Sequence, residues 1–154
     1  MNKPNIGKPA PQFTATLEDG SAVSLNDYAG KKIALYFYPK DATPTCTDQA
    51  CNIRDNYDDL VANNIYVLGV SADDTKSHTK FIAKHNLNFS LIADVDHTLL
   101  NMYGVWGPKK FMGKEFDGIH RTTFLIDENG VLVDIIEKVK AKEHNQQIKE
   151  GFQI

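Results

Sequence analysis

The sequence predicts an α/β fold in which a mixed β-sheet lies between layers of helices. Residues 33–38 and 65–70 have the pattern of buried strands on either side of a helix, and this strand–helix–strand order gives parallel strands. A hairpin near the C-terminus, TTFLID-ENG-VLVDIIEKV, adds antiparallel strands. This order of elements predicts a thioredoxin-like three-layer sandwich with an N-terminal hairpin. No linker or repeat divides the chain, so residues 1–154 are predicted to form a single domain.

Three elements are predicted in the first part of the chain. Residues 13–17 and 22–25 flank an Asp-Gly turn and form the N-terminal hairpin. Residues 33–38 form a strand that ends at Pro39, because proline has no N–H to donate to a neighbouring strand. A helix follows over about residues 47–62, where apolar residues recur at spacings of three and four.

A second strand–helix–strand unit is predicted next. Residues 65–70 form a buried strand, and residues 75–85 form a helix that Asp73 or Asp74 caps. Residues 89–94 form another strand. Together with the first unit, this gives three parallel strands.

The last part of the chain contains one short helix, one hairpin and one terminal helix. The segment HTLLNMYG predicts a helix that closes at Gly104. Residues 122–127 and 131–139 form the hairpin, whose Asn-Gly pair supplies positive φ. The final helix begins at about Glu143.

Composition excludes some classes of function. The chain carries 17 Lys and Arg against 20 Asp and Glu, a net charge of -3, so a nucleic-acid partner is not expected. No apolar stretch approaches the roughly 18 residues needed to span a bilayer, and the N-terminus lacks the apolar core of a signal peptide. We therefore expect a soluble, cytoplasmic protein with no membrane partner.

The chain has only two cysteines, Cys46 and Cys51. In a reducing compartment such a pair indicates catalysis, redox sensing or metal binding more than a structural crosslink. Cys46 lies in the first turn of the predicted helix, where free N–H groups and the helix dipole favour a thiolate. Five residues along a helix separate the two Cα atoms by roughly 8 to 9 Å. A disulfide requires less than about 7 Å, so the helix must unwind locally before the two sulfurs can bond.

This two-state arrangement suits peroxide reduction. A thiolate attacks a hydroperoxide and becomes a sulfenic acid, and a second thiol condenses with it to a disulfide that a dithiol reductant can open. The reaction also needs polar groups around the sulfur. Thr43 offers a hydroxyl that could accept from and donate to the peroxide, and Arg121, just ahead of TTFLID, offers a planar fork of donors. Pro39 shapes the loop and excludes solvent from one side.

These residues resemble a motif of the peroxiredoxins. P-x-x-x-T-x-x-C (Pro39, Thr43, Cys46), C-x-x-x-x-C and R-T-T-F from Arg121 carry the likeness, which GKPAPQFT, YFYPKD, FSLIAD and YGVWG extend over most of the chain. The cysteine spacing resembles the bacterioferritin comigratory protein or peroxiredoxin Q group. The resemblance implies that Cys46 is the peroxidatic cysteine and Cys51 the resolving one, with the other three residues completing the pocket. It also implies thioredoxin as reductant, a monomer, and no metal, haem or flavin.

Two positions depart from the pattern of that group. Thr45 stands where glycine is common, and Gln49 stands where glutamate is usual. We expect these departures to change the rate more than the type of reaction. The five histidines are assigned no function and lie mostly at helix or loop positions typical of the surface; His120, next to Arg121, is the one that could lie near the pocket.

Two other functions compete with this interpretation. A thiol–disulfide oxidoreductase would carry C-x-x-C, but Thr43 occupies the place of its first cysteine, and no proline directly precedes TTFLID. A zinc-binding module would use Cys46 and Cys51 with His78 and His85, but H-x6-H is wider than the usual H-x(3–5)-H spacing.

Overall fold

The computed structural model describes all 154 residues of the chain. The strands are β1 (Thr14–Thr16), β2 (Ala22–Ser24), β3 (Lys32–Phe37), β4 (Ile65–Ser71), β5 (Ser90–Ala93), β6 (Trp106–Phe111), β7 (Lys114–Ile119), β8 (Thr122–Ile126) and β9 (Leu132–Ile136). The α-helices are α1 (Pro44–Ala62), α2 (Thr75–His85), α3 (Thr98–Met102) and α4 (His144–Gly151). Short 3-10 turns cover Leu25–Tyr28 and Ala141–Glu143.

The central sheet has five strands in the order β5-β4-β3-β8-β9. β3, β4 and β5 are parallel, whereas β8 runs antiparallel to β3 and β9 antiparallel to β8. The predicted mixed sheet is therefore confirmed. β3 lies in the middle, and residues 33–37 are all buried, as expected for a strand covered on both faces.

Helices and a hairpin cover the two faces of this sheet. The crossovers through α1 and α2 are both expected to be right-handed, which places the two helices on one face. Ile53 and Phe81 from these helices pack with Ile148 of α4 in one apolar cluster. Leu99 of α3 and Val23 of the β1–β2 hairpin belong to the cluster on the opposite face. Each such fully buried side chain contributes about 1.5–3 kcal/mol of hydrophobic stabilisation.

The sheet brings two distant segments to one edge. β3 ends at Phe37, and the chain then loops into α1. β8 runs in the opposite direction and begins at Thr122, which is paired with Phe37. Arg121 immediately precedes β8, so it lies at the same edge as the start of α1, as the sequence predicts.

The predicted boundaries differ from the observed ones at α1. The helix begins at Pro44, three residues earlier than predicted, with Thr43 as its N-cap. Proline suits the first helical position because its missing N–H would have no partner there. Asp74, one of the two predicted caps, accepts from the N–H of Ser77 at the start of α2.

The β6–β7 hairpin is not predicted by the sequence analysis. Its strands carry charged and glycine residues on both faces, and most of the residues from Pro108 to Asp117 are exposed, so apolar alternation is absent. Met112 and Gly113 form its turn, and both have positive φ. Turns of this kind usually contain Asn-Gly or Asp-Gly, so a turn that begins with methionine is not recognised from the sequence.

None of the helices combines the length and the apolar composition that crossing a bilayer requires.

Candidate active site

Cys46 is the third residue of α1 and is only 2% exposed. The first helical N–H to find a backbone acceptor is that of Thr47, which donates to the carbonyl of Thr43 at 2.8 Å. Pro44 has no N–H, and the N–H groups of Thr45 and Cys46 make no backbone hydrogen bond. These free donors and the positive end of the helix dipole favour an anion at the Cys46 sulfur.

Arg121 supplies the opposite charge. Its Nη2 donates to the Sγ of Cys46 at 3.3 Å, and its Nη1 donates to the Oε1 of Gln49 at 2.6 Å. The guanidinium therefore bridges two residues on the same face of α1, one helical turn apart. Both arms of the fork are occupied, which fixes the orientation of the planar group beside the sulfur.

Gln49 continues this contact into a buried chain of hydrogen bonds. Its Nε2 lies 3.2 Å from the Nδ1 of His144, whose Nε2 lies 2.8 Å from the Oγ1 of Thr123. Gln49, His144 and Thr123 are all fully buried. Burial, reinforced by the positive charge of Arg121, lowers the pKa of His144 to about 3, so this ring is neutral at physiological pH.

Lys109 of β6 brings a second cation towards the site. Its Nζ donates to the carbonyl of Ile119 at 2.8 Å. Partial burial and the nearby charge of Arg121 lower the pKa of Lys109, while the Cys46 thiolate acts in the opposite direction. The unpredicted hairpin therefore contributes positive charge to the surroundings of the sulfur.

Thr43 and Pro39 lie in the loop before α1, as the sequence predicts. The hydroxyl of Thr43 donates to the carbonyl of Lys40 at 2.9 Å and makes no capping bond to the helix. Its only proton is thus engaged, which leaves its lone pairs free to accept a hydrogen bond from a hydroperoxide. In this geometry Thr43 can accept a hydrogen bond from the peroxide, as predicted, but it cannot donate one. Pro39 is half-buried and follows β3 at its sheet-edge end.

A buried ion pair anchors this loop to α2. The Nδ1 of His78 lies 2.7 Å from Oδ2 of Asp41, and its Nε2 lies 2.9 Å from the carbonyl of Ile92. Both acceptors can only accept, so His78 donates from both nitrogens and is an imidazolium. Burial alone would lower the pKa of His78, but its hydrogen bond and charge interaction with Asp41 outweigh burial and raise it. The hydroxyl of Tyr38 adds a 2.6 Å bond to the same carboxylate.

Cys51 is half-buried, and both cysteines are free thiols. Helix α1 is continuous from Pro44 to Ala62, so it holds the two residues in the separated arrangement expected of the reduced state. A Cys46–Cys51 bond would require the helix to unwind over this segment.

The histidine expectation is wrong for two of the five residues. His78 and His144 are fully buried, not at the surface. Gln49 and His144 contact each other although 95 residues separate them in the sequence, so no local sequence pattern indicates this contact. The zinc hypothesis also loses its ligand set, because Cys46 contacts Arg121 while His78 contacts Asp41.

The chain has a thioredoxin-like fold in which a cysteine at the start of a helix contacts an arginine guanidinium. A second thiol lies five residues further along the same helix. Together these features define a thiol-dependent peroxidase of the peroxiredoxin class. The chain belongs to the AhpC/TSA family, whose model matches residues 6–135.

Individual proteins agree with this assignment. Peroxiredoxin Bcp of Bacillus subtilis is 47% identical over 139 residues, which is 90% of this chain and 88% of that protein. The structure of Xylella fastidiosa PrxQ matches with a TM-score of 0.91 and 30% identity, over 99% of this chain and 98% of that one. The bacterioferritin comigratory protein of Xanthomonas campestris matches with a TM-score of 0.84 and 33% identity, over 91% and 90%. The predicted resemblance and fold are confirmed.

Proposed function

We propose that Cys46 reduces hydroperoxides and that Cys51 then resolves its oxidised form. The thiolate of Cys46 attacks one peroxide oxygen, the O–O bond breaks, and the alkoxide or hydroxide that leaves takes up a proton to become an alcohol or water. Cys46 is left as a sulfenic acid. The observation that supports this role most directly is the 3.3 Å contact between the Arg121 guanidinium and the Cys46 sulfur at the start of α1.

Arg121 has two proposed tasks in the first step. It stabilises the thiolate before attack, and it donates to the oxygen on which negative charge develops as the O–O bond breaks. The free N–H groups of Thr45 and Cys46 can also donate to the bound peroxide, and Thr43 can accept from the peroxide O–H. These groups are already in place, so the site needs little reorganisation during attack.

The second step converts the sulfenic acid of Cys46 into a disulfide. The thiolate of Cys51 attacks the sulfenic sulfur of Cys46, the S–O bond breaks, and hydroxide leaves and is protonated to water. We propose that thioredoxin or a similar dithiol protein reduces the resulting disulfide, and that the chain works as a cytoplasmic monomer without nucleic-acid or membrane partners. Organic hydroperoxides are included as substrates because the bacterioferritin comigratory protein of Xanthomonas campestris has alkyl peroxide reduction activity.

Cysteine substitutions test this proposal. We expect Cys46→Ser to abolish peroxide consumption in an assay with thioredoxin, thioredoxin reductase and NADPH. Cys51→Ser should permit one oxidation of Cys46 and leave a sulfenic acid that dimedone labels. Steady-state activity at the wild-type level in Cys46→Ser would refute the assignment. An insulin-disulfide assay separates the alternative thiol–disulfide oxidoreductase, which would reduce insulin faster than it consumes peroxide.

A further inference from the structure

The buried His144 ring is not used in the reaction as described above, yet it belongs to a chain of hydrogen bonds that begins at the catalytic sulfur. The chain runs from Cys46 through Arg121 and Gln49 to His144 and ends at Thr123. It connects α1, the start of β8 and the first residue of α4.

The donors and acceptors along this series of hydrogen bonds determine the direction of each bond. Arginine can only donate, so the Gln49 oxygen must face Arg121 and the Gln49 amide NH₂ must face His144. The Nδ1 of His144 must therefore accept, which puts the ring proton on Nε2. That proton is donated to the Oγ1 of Thr123 at 2.8 Å. Only one tautomer of His144 is compatible with the contact between Arg121 and Gln49.

The ring itself is held in place from two sides. Tyr36 packs against it edge-on, with ring centroids 5.3 Å apart. Its backbone is located by Asn52 of α1, which donates to the carbonyl of Lys142 at 2.9 Å and accepts from the N–H of Asn145 at 2.8 Å. His144 is thus a fixed acceptor, and Gln49 cannot rotate its amide without losing that acceptor.

We propose that His144 is a positioning residue for the peroxidatic site: by accepting from Gln49, it orients the Gln49 oxygen that holds the Arg121 guanidinium against Cys46. Without this acceptor, the Gln49 amide is held by Arg121 alone and is free to leave its orientation. The guanidinium would then move from the sulfur, and both the thiolate and the developing charge on the peroxide would lose a donor. The low pKa of His144, about 3, agrees with an acceptor that stays unprotonated over the working pH range.

This inference deepens the proposed function and rests on Cys46 as the reacting thiol. It is tested in Cys51→Ser protein, which leaves Cys46 as the only thiol. His144→Leu removes the acceptor, whereas His144→Asn retains an acceptor oxygen near the position of Nδ1. We expect His144→Leu to slow oxidation by hydrogen peroxide about 10-fold, the effect of one lost buried hydrogen bond. We expect the oxidation rate of the His144→Asn variant to stay within about 3-fold of the rate of the Cys51→Ser parent.

A second readout does not depend on peroxide. The pH dependence of Cys46 alkylation by iodoacetamide reports the thiolate population, and we expect its midpoint to move to higher pH in His144→Leu but not in His144→Asn. Ile148→Ala is the matched control, because Ile148 is a buried residue of α4 whose apolar side chain makes no hydrogen bond to Arg121, Gln49 or His144. It should lower the melting temperature while leaving the alkylation midpoint unchanged.

A double-mutant cycle shows whether His144 acts through Gln49. If it does, His144→Leu has no further effect in Gln49→Leu protein. Additive effects in this cycle, or a folded His144→Leu variant with the parental rate and alkylation midpoint, would overturn the proposal. If His144→Leu does not fold, Thr123→Val takes its place, since it removes the hydroxyl that accepts from Nε2 and holds the His144 ring in position. An unchanged rate and alkylation midpoint in that variant would also overturn the proposal.

These experiments separate this inference from the proposed function. If the Cys51→Ser parent does not react with hydrogen peroxide, the proposed function fails. The alkylation cycle still tests the positioning of Arg121 in that case, because alkylation requires only the thiolate.

Discussion

At the scale of single residues, the site depends on how one positive charge is shared. Arg121 faces the Cys46 sulfur with one nitrogen and the neutral Gln49 amide with another. Because Gln49 carries no charge, the full positive charge of Arg121 remains available to the thiolate and to the peroxide oxygen. A glutamate at this position, as the peroxiredoxin Q resemblance would suggest, would offset part of that charge.

Substitution of Arg121 tests this charge. We expect Arg121→Ala to slow the reaction of Cys46 with hydrogen peroxide by about 10²-fold or more, since it removes a preorganised donor to the developing charge. Stopped-flow oxidation of Cys51→Ser protein measures this step alone. Arg121→Lys is the control that keeps the charge but loses the fork, and it should recover only part of the rate. Equal rates for Arg121→Ala and the parent would contradict the assigned role.

At the scale of elements, few side-chain contacts hold the first turn of α1 in its helical position. Thr43 caps the helix without a side-chain hydrogen bond to it, although such a bond usually contributes about 0.5–2 kcal/mol. Pro44 and Thr45 are exposed, so their side chains add little packing. Opposing this, Gln49 ties the second turn of α1 to Arg121 and His144. Unwinding between the cysteines must break those buried bonds, so the proposed resolving step competes with the contacts proposed to support attack.

Substitution of Thr45 changes how easily the first turn of α1 unwinds. Glycine is a poorer helix former than threonine by a few tenths of a kcal/mol, so Thr45→Gly should ease unwinding and speed disulfide formation about 2-fold. Rapid quench with an alkylating agent, followed by mass analysis, measures this rate after the sulfenic acid has formed. Asp58→Gly, at an exposed position of α1 beyond Cys51, should not change it. A slower rate in Thr45→Gly would contradict the unwinding step.

At the scale of the whole molecule, the topology of the sheet assembles the site from distant parts of the chain. The parallel order of β3 and β4 and the antiparallel return of β8 bring Arg121 to the start of α1. The buried pair of His78 and Asp41 then fastens the intervening loop to α2. Stability of the fold and placement of the loop are therefore linked.

That pair predicts a specific pH dependence of stability. The pKa of His78 is raised in the folded protein, so its contribution is fully present below the unfolded value of about 6.5 and is lost as pH rises through the folded value. His78→Gln should cost about 3–5 kcal/mol at pH 6, and the difference from wild type should shrink towards pH 9. Urea unfolding at both pH values measures it. A difference that grows with pH would show that His78 is not a buried cation.

Sequence patterns predict those parts of the structure that depend on local periodicity. Strands β3 and β4, helix α2 and the β8–β9 hairpin follow from apolar spacing and turn residues. The predicted element ends also place Cys46, Thr43 and Arg121 at one edge of the sheet, as the structure does. The patterns fail for the β6–β7 hairpin, where both faces are polar and the turn begins with Met112. They also fail for His144, whose burial and contact with Gln49 arise only from the docking of α4 on α1.

Under the proposed mechanism, an oxidised Cys46 leaves its helical position and bonds to Cys51. Treatment with one equivalent of hydrogen peroxide, followed by trypsin, gives a peptide of residues 41–54 that contains both cysteines. We predict that this peptide loses two hydrogen atoms, and that cleavage before Asp48 leaves its two halves joined until a reductant is added. Halves that separate without reductant, or a sulfenic acid that persists on Cys46 beside a free Cys51, would contradict the account.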